Sequence, residues 1–115
     1  MSSIKMYGIK NCQTMKKAMT WLESHKIDFA FHDYKKLGID EVTLTEWLSQ
    51  KPWDEVINKR GTTWRKLSDE DKIDIDPTKA IQLMIANTSL IKRPALNVAG
   101  KLYLGFDEAL YQSIF

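Results

Sequence analysis

Apolar and polar positions alternate along this chain with more than one period, and each period predicts an element. Residues 4–7, Ile-Lys-Met-Tyr, form a short, mostly apolar run closed by Gly8, which reads as a buried strand. Behind it, Met15, Ala18, Met19 and Leu22 recur at the i, i+3, i+4, i+7 spacing of one helical face. Asn11 is placed to cap that helix, its side-chain oxygen accepting from amides left free in the first turn. His25 closes it, where the negative helix end favours a cationic or polar group. DFAFHDY, residues 28–34, alternates and is rich in aromatics, as a second strand is. Two strands joined by one helix make a βαβ unit, with parallel pairing and a right-handed crossover.

The middle of the chain has a helical pattern. Thr43 and Glu46 show capping-box spacing ahead of Trp47 and Leu48. A short helix over residues 53–57 follows Pro52, and NKRGTTWRKL (58–67) reads as an irregular basic loop. Asp76 followed by Pro77 joins an N-cap to the proline suited to a first helical position. Ile81, Met84, Ile85 and Thr88 mark the inner face of that helix. The period then returns to strands. ALNVA (95–99) and LYLG (102–105), turned by Gly100 and Lys101, predict an antiparallel hairpin. Asp107 caps a last helix carrying Ala109, Leu110 and Ile114. The order is β-α-β, a helical insert over about residues 39–88 and then β-β-α, an α/β fold with a mixed four-stranded sheet.

Composition adds limits. At 115 residues with no Gly/Ser/Pro-rich linker and no repeats, a single domain over 1–115 is expected. Lys and Arg are mixed among Asp and Glu at a net charge of +2, so no broad basic face favours nucleic acid as a partner. No apolar run approaches the length of a membrane span, and MSSIKMYGIK lacks the apolar core of a secretory signal. One cysteine and two histidines, His25 and His32, fit a reducing cytoplasm and argue against a structural zinc site. Nothing in the pattern suggests a sticky surface, so a monomer is expected.

The candidate chemistry centres on Cys12. A cysteine in the first turn of a helix meets the positive end of the macrodipole and free amide hydrogens, both of which favour thiolate over thiol. Lys10, Lys16 and Lys17 add positive potential, and the Thr14 hydroxyl is placed to donate to the sulfur. The competing reading is a buried, inert cysteine; polar neighbours on both sides argue against it. Arg93 and Pro94 stand directly before a strand. They read either as an ordinary loop pair or as a cis-proline junction that exposes backbone to an extended peptide and fixes a cation beside it. Lys59, Arg60, Arg65 and Lys66 surround Gly61, either as a solvated loop or as a receiver for carboxylates. The four tryptophans read as core or helix-packing groups, and His32 as structural.

Three motifs coincide: YGIKNCQTMKKA, NKRGTTWRKL, and LIKRPALNV followed by GKLYLGFDE. Together they resemble the ArsC/Spx superfamily of thioredoxin-like proteins, most closely its YffB-like branch, over essentially the whole chain. The resemblance implies a thioredoxin fold interrupted by a helical insert, with Cys12 as the active thiol, Arg93 beside it and a cis bond before Pro94. It implies a glutathione-dependent thiol reductase with no bound cofactor, glutathione serving as co-substrate and oxidised thiols as substrates. Asn11, Thr14, Lys16, Asn58, Arg60 and Pro94 are the candidate glutathione-binding residues. Met15 stands where C-x-x-C relatives carry a second cysteine, so the second thiol must come from another molecule. Arsenate reductases of the family carry three arginines about the cysteine; here Arg93 matches one, while the other two positions fall at Asn58 and near Gly105. The resemblance also implies two alternatives, an Spx-like module that binds RNA polymerase and a weak glutathione-linked arsenate reductase.

Overall fold

The computed structural model describes residues 3–115 of the chain. It divides into two compact units, one made of the chain through Asp33 together with Arg93–Phe115, the other of Tyr34–Lys92.

The first unit holds the sheet, whose strands are β1 (Ile4–Gly8), β2 (Ala30–Asp33), β3 (Ala95–Val98) and β4 (Lys101–Leu104), in the spatial order β2-β1-β3-β4. β1 runs parallel to β2, as the βαβ pattern requires, and antiparallel to β3, which pairs antiparallel with β4. Met6 faces Phe31 on one side and Leu96 on the other, so the central strand is apolar where it is covered. Helices α1 (Gln13–Ser24) and α8 (Glu108–Ile114) supply the cover: Met15, Ala18, Trp21, Leu22 and Tyr111 pack with Met6 and Leu96 in one core. Gly8 belongs to this packing, because a Cβ built there would collide with the Met15 thioether, and Met15 is itself fully buried. The sheet and its order are those of a thioredoxin-like fold.

The β3–β4 turn falls on Ala99 and Gly100 rather than on Gly100 and Lys101. Both residues have positive φ, 50° and 94°, the conformation of a type I′ turn, whose twist matches that of the flanking strands. Lys101 is already the first residue of β4. The second strand is also shorter than its aromatic alternation predicts, running only from Ala30 to Asp33.

The second unit is helical, with α2 (Tyr34–Leu37), α3 (Glu41–Gln50), α4 (Trp53–Val56), α5 (Thr62–Lys66), α6 (Asp69–Lys72), α7 (Pro77–Ala86) and a 3₁₀ turn at Thr88–Leu90. Its core includes Leu44 and Trp47 of α3, Val56, Ile57, Met84 and Leu90, each 0% or 1% exposed. The cap of α3 is Asp40, whose carboxylate accepts from the Thr43 amide at 2.8 Å; Thr43 and Glu46 lie inside the helix and form no capping box. Asp76 caps α7 as its sequence predicts, accepting from the Lys79 amide. The inner face of α7 is Ala80, Leu83 and Met84; Ile85 is 42% exposed, one step around the helix from the buried stripe. The basic stretch 58–67 is helical in its second half, as α5, and irregular only before Gly61.

Candidate functional site

Cys12 occupies the N-cap position of α1. Its backbone is extended, at φ −137° and ψ 127°, and its carbonyl accepts from the Lys16 amide at 3.0 Å, the first hydrogen bond of the helix. Asn11, read from sequence as the cap, therefore lies one residue outside the helix, and its side chain is exposed. An N-cap side chain normally gives an oxygen to the amides of the second and third helical residues, here Thr14 and Met15. Cys12 has no oxygen to give, and those two amides instead favour the charged form of its sulfur.

The sulfur is half-buried, and that burial pushes its pKa up. The Met15 and Thr14 amides, followed by a hydrogen bond from Arg93 and the charge of its guanidinium, outweigh burial and hold the thiol below its ordinary value. Arg93 is thus beside Cys12, as the resemblance implies, and the peptide bond between Arg93 and Pro94 is cis. Thr14 acts through its backbone, whereas the sequence suggested its hydroxyl. Lys16 is exposed one turn along α1. The Pro94 carbonyl accepts from the Gly105 amide at 2.9 Å, which continues the β3–β4 pairing toward the site.

Cys12, Arg93, Pro94, Asn11, Thr14 and Lys16 all belong to the sheet-bearing unit. Asn58 and Arg60 belong to the helical unit, where they line a pocket of about 290 Å³ together with Lys59 and Lys92. The Asn58 side chain accepts from the Arg60 amide at 3.1 Å, and the Arg60 carbonyl accepts from the Arg65 guanidinium at 3.0 Å. Lys59 stands over the rings of Trp53 and Trp64 at 4.8 and 5.8 Å, so these half-buried tryptophans are platforms for a cation. Trp21 and Trp47 are the buried pair that core packing predicts. Sequence reading missed the part of Trp53 and Trp64, although a lysine set among tryptophans in a loop was the available signal. Among the described residues no group of three or more His, Cys, Asp or Glu is placed to hold a metal ion, and no helix is long and apolar enough to cross a membrane.

What the Cys12 site can do is form and release a sulfur–sulfur bond. A thiolate attacks a disulfide, a thiol does not, and a sulfur with a lowered pKa is also the better leaving group when its own disulfide is attacked. Arg93→Ala removes one of the groups that stabilise the thiolate. The pH at which Cys12 becomes reactive is therefore expected to rise, so that alkylation by iodoacetamide slows at neutral pH and recovers at high pH. Arg93→Lys should retain part of the effect. An unchanged pH profile in the alanine variant would show that the guanidinium does not act on the sulfur.

Comparison with known proteins agrees with this architecture. The ArsC family matches residues 7–114. The solved structure of a YffB protein superimposes with a TM-score of 0.93 at 48% identity, covering 96% of each chain. An arsenate reductase (ArsC) related protein from Brucella melitensis is 50% identical, with a TM-score of 0.78 over 98% of this chain and 93% of that one. The global transcriptional regulator Spx of Lactiplantibacillus plantarum is 26% identical over 105 residues, 90% of this chain and 79% of the regulator. These relationships support a thiol-redox or regulatory role.

Proposed function

Because the chain belongs to the ArsC family, we propose that it is a glutathione-dependent thiol–disulfide oxidoreductase whose nucleophile is Cys12. The Cys12 thiolate attacks the glutathionyl sulfur of a mixed disulfide. A bond forms between the two sulfurs, the old disulfide breaks, and the substrate leaves as a thiolate that takes a proton from water. A second glutathione, as thiolate, then attacks the Cys12 mixed disulfide. Oxidised glutathione leaves and the Cys12 thiolate is restored, so each turnover converts one mixed disulfide and one glutathione thiol into the free substrate thiol and one oxidised glutathione. No second cysteine is available within the chain, and position 15 is a buried methionine. The resolving thiol must therefore come from outside.

The single observation that carries this reading is the half-buried Cys12 at the N-cap of α1, where the Met15 and Thr14 amides and Arg93 favour its thiolate. Arg93, Asn11 and Lys16 are the polar groups we assign to the carboxylates and amides of glutathione, with Pro94 fixing Arg93 at the head of β3. Incubation with oxidised glutathione at neutral pH should add one glutathionyl group to the intact protein, and excess reduced glutathione should remove it. A mass that never changes would sink the proposal.

Similarity to Spx favours a second reading, a regulatory module that binds RNA polymerase. It predicts co-purification with the polymerase that survives Cys12→Ser. Arsenate reduction has less support: Gly105, near one of the three family arginine positions, carries no side chain, and Asn58 stands at another.

A further inference from the structure

A cleft of about 760 Å³ lies between α1 and α8, on the outer side of the core. Its α1 wall contains Lys16, Thr20 and Ser24 in one row, and Lys17, Trp21 and His25 in the next. Residues four apart stack on one helix face, so the first row, continued one turn back, arrives at Cys12. The first hydrogen bond of α1, from the Lys16 amide to the Cys12 carbonyl, ties the head of the cleft to the reactive turn. Phe106, Glu108 and Gln112 form the opposite wall.

The cleft is too long for glutathione alone. The cleft is lined from Lys16 to His25, about 14 Å of α1 at 1.5 Å per residue, and the reach back to Cys12, which is not part of its lining, makes about 20 Å in all. An extended tripeptide covers about 10 Å, and about six extended residues fill the whole length. The lining has a sign as well as a length. Lys16 and Lys17 stand against one carboxylate, Glu108, while Trp21 and Phe106 supply apolar surface between them. His25 stacks on Trp21 at 3.8 Å between centroids and places Nδ1 2.8 Å from the Trp21 carbonyl, which closes the far end.

We propose that this cleft binds the polypeptide partner of the mixed disulfide: an extended, acidic segment flanking the oxidised cysteine of a protein substrate. The proposal rests on the thiol-transfer reading above, and adds that proteins with acidic sequence beside the glutathionylated cysteine are the preferred substrates. The lysines attract the acidic side chains, and the apolar strip takes the peptide's stem carbons. The segment leads its cysteine along the row that ends at Cys12.

The test uses two glutathionylated hexapeptides, one rich in Asp and Glu and one rich in Lys, together with the small mixed disulfide of glutathione and mercaptoethanol. The native protein should turn over the acidic peptide with a kcat/KM about tenfold above that of the basic one, and added salt should shrink the difference. The double variant Thr20→Glu, Gln112→Glu reverses the charge balance at two exposed positions. It should lose or invert the preference while the small disulfide is turned over as before. Equal kcat/KM for the two peptides in the native protein would overturn the proposal, as would a preference that survives the double variant. The Kd of each peptide in its unglutathionylated form for Cys12→Ser protein, read by fluorescence anisotropy, decides the cleft separately. If the small disulfide is not turned over, the thiol-transfer reading fails; a preference for the acidic peptide in binding would still support the cleft, and equal affinities would reject it.

Discussion

Cys12→Ser is expected to abolish the glutathione adduct and to lower turnover of a small glutathionyl disulfide by about 10⁴-fold or more, the scale on which removal of a nucleophile acts. The reason is chemical and local. A serine hydroxyl can take the same place at the head of α1 and accept from the Thr14 and Met15 amides. It does not ionise near neutral pH, however, and it cannot form a disulfide. The thiol is half-buried at a helix end, so its replacement leaves the core of Met6, Met15, Ala18 and Leu22 intact. Far-ultraviolet circular dichroism and the urea midpoint should therefore match those of the native protein. Residual turnover near the native rate would remove Cys12 from the mechanism.

The largest expected effect on stability belongs to Trp47→Ala. Trp47 is 1% exposed and is among the largest fully buried side chains of the chain, on the face of α3 that also buries Leu44. Truncating a buried tryptophan to alanine costs about 3–5 kcal/mol through lost burial and the cavity left behind. That is a large share of the 5–15 kcal/mol or so by which a domain is usually stable. Urea unfolding should show a midpoint displaced well downward with a similar slope. A change under about 1 kcal/mol would mean that the helices close over the gap.

Much of the fold was legible because its signals were local and complete. Residues 4–7, the α1 stripe, the strands of the hairpin, and Asp76 with Pro77 each state the presence and type of one element within a short window. α2, α5 and α6 were not legible, since helices of four or five residues complete little more than one turn and have no period to detect. α7 shows a different failure. In PTKAIQLMIA nearly every position after Lys79 can pack, so the pattern does not choose between the stripe of Ala80, Leu83 and Met84 and the one that includes Ile81 and Ile85. Caps failed by small shifts, from Asn11 to Cys12 and from Thr43 to Asp40. Asp40 offers an acceptor three residues ahead of Thr43, whereas Cys12 takes the N-cap place without an oxygen, against the residue preference that points to Asn11.

In the site, Cys12 and Arg93 stand apart in sequence and were paired only through a resemblance to known proteins. No spacing rule joins a helix start to the head of a strand some 80 residues later. That amides at the helix start favour the charged form of the sulfur could be anticipated from the chemistry of helix ends. That it takes the N-cap place itself could not.

The collision that a side chain at Gly8 would make with Met15 bears on whether this fold could carry a second thiol. The atoms in the way, Sδ and Cε, are the ones that a cysteine at position 15 would lack. Acquiring an intramolecular redox couple here would leave a void beside β1, and the substitution best placed to fill it is alanine at position 8. Neither change is comfortable alone, so the two positions are locked together. Whether a second cysteine fits at position 15 is therefore decided jointly with the glycine that ends β1.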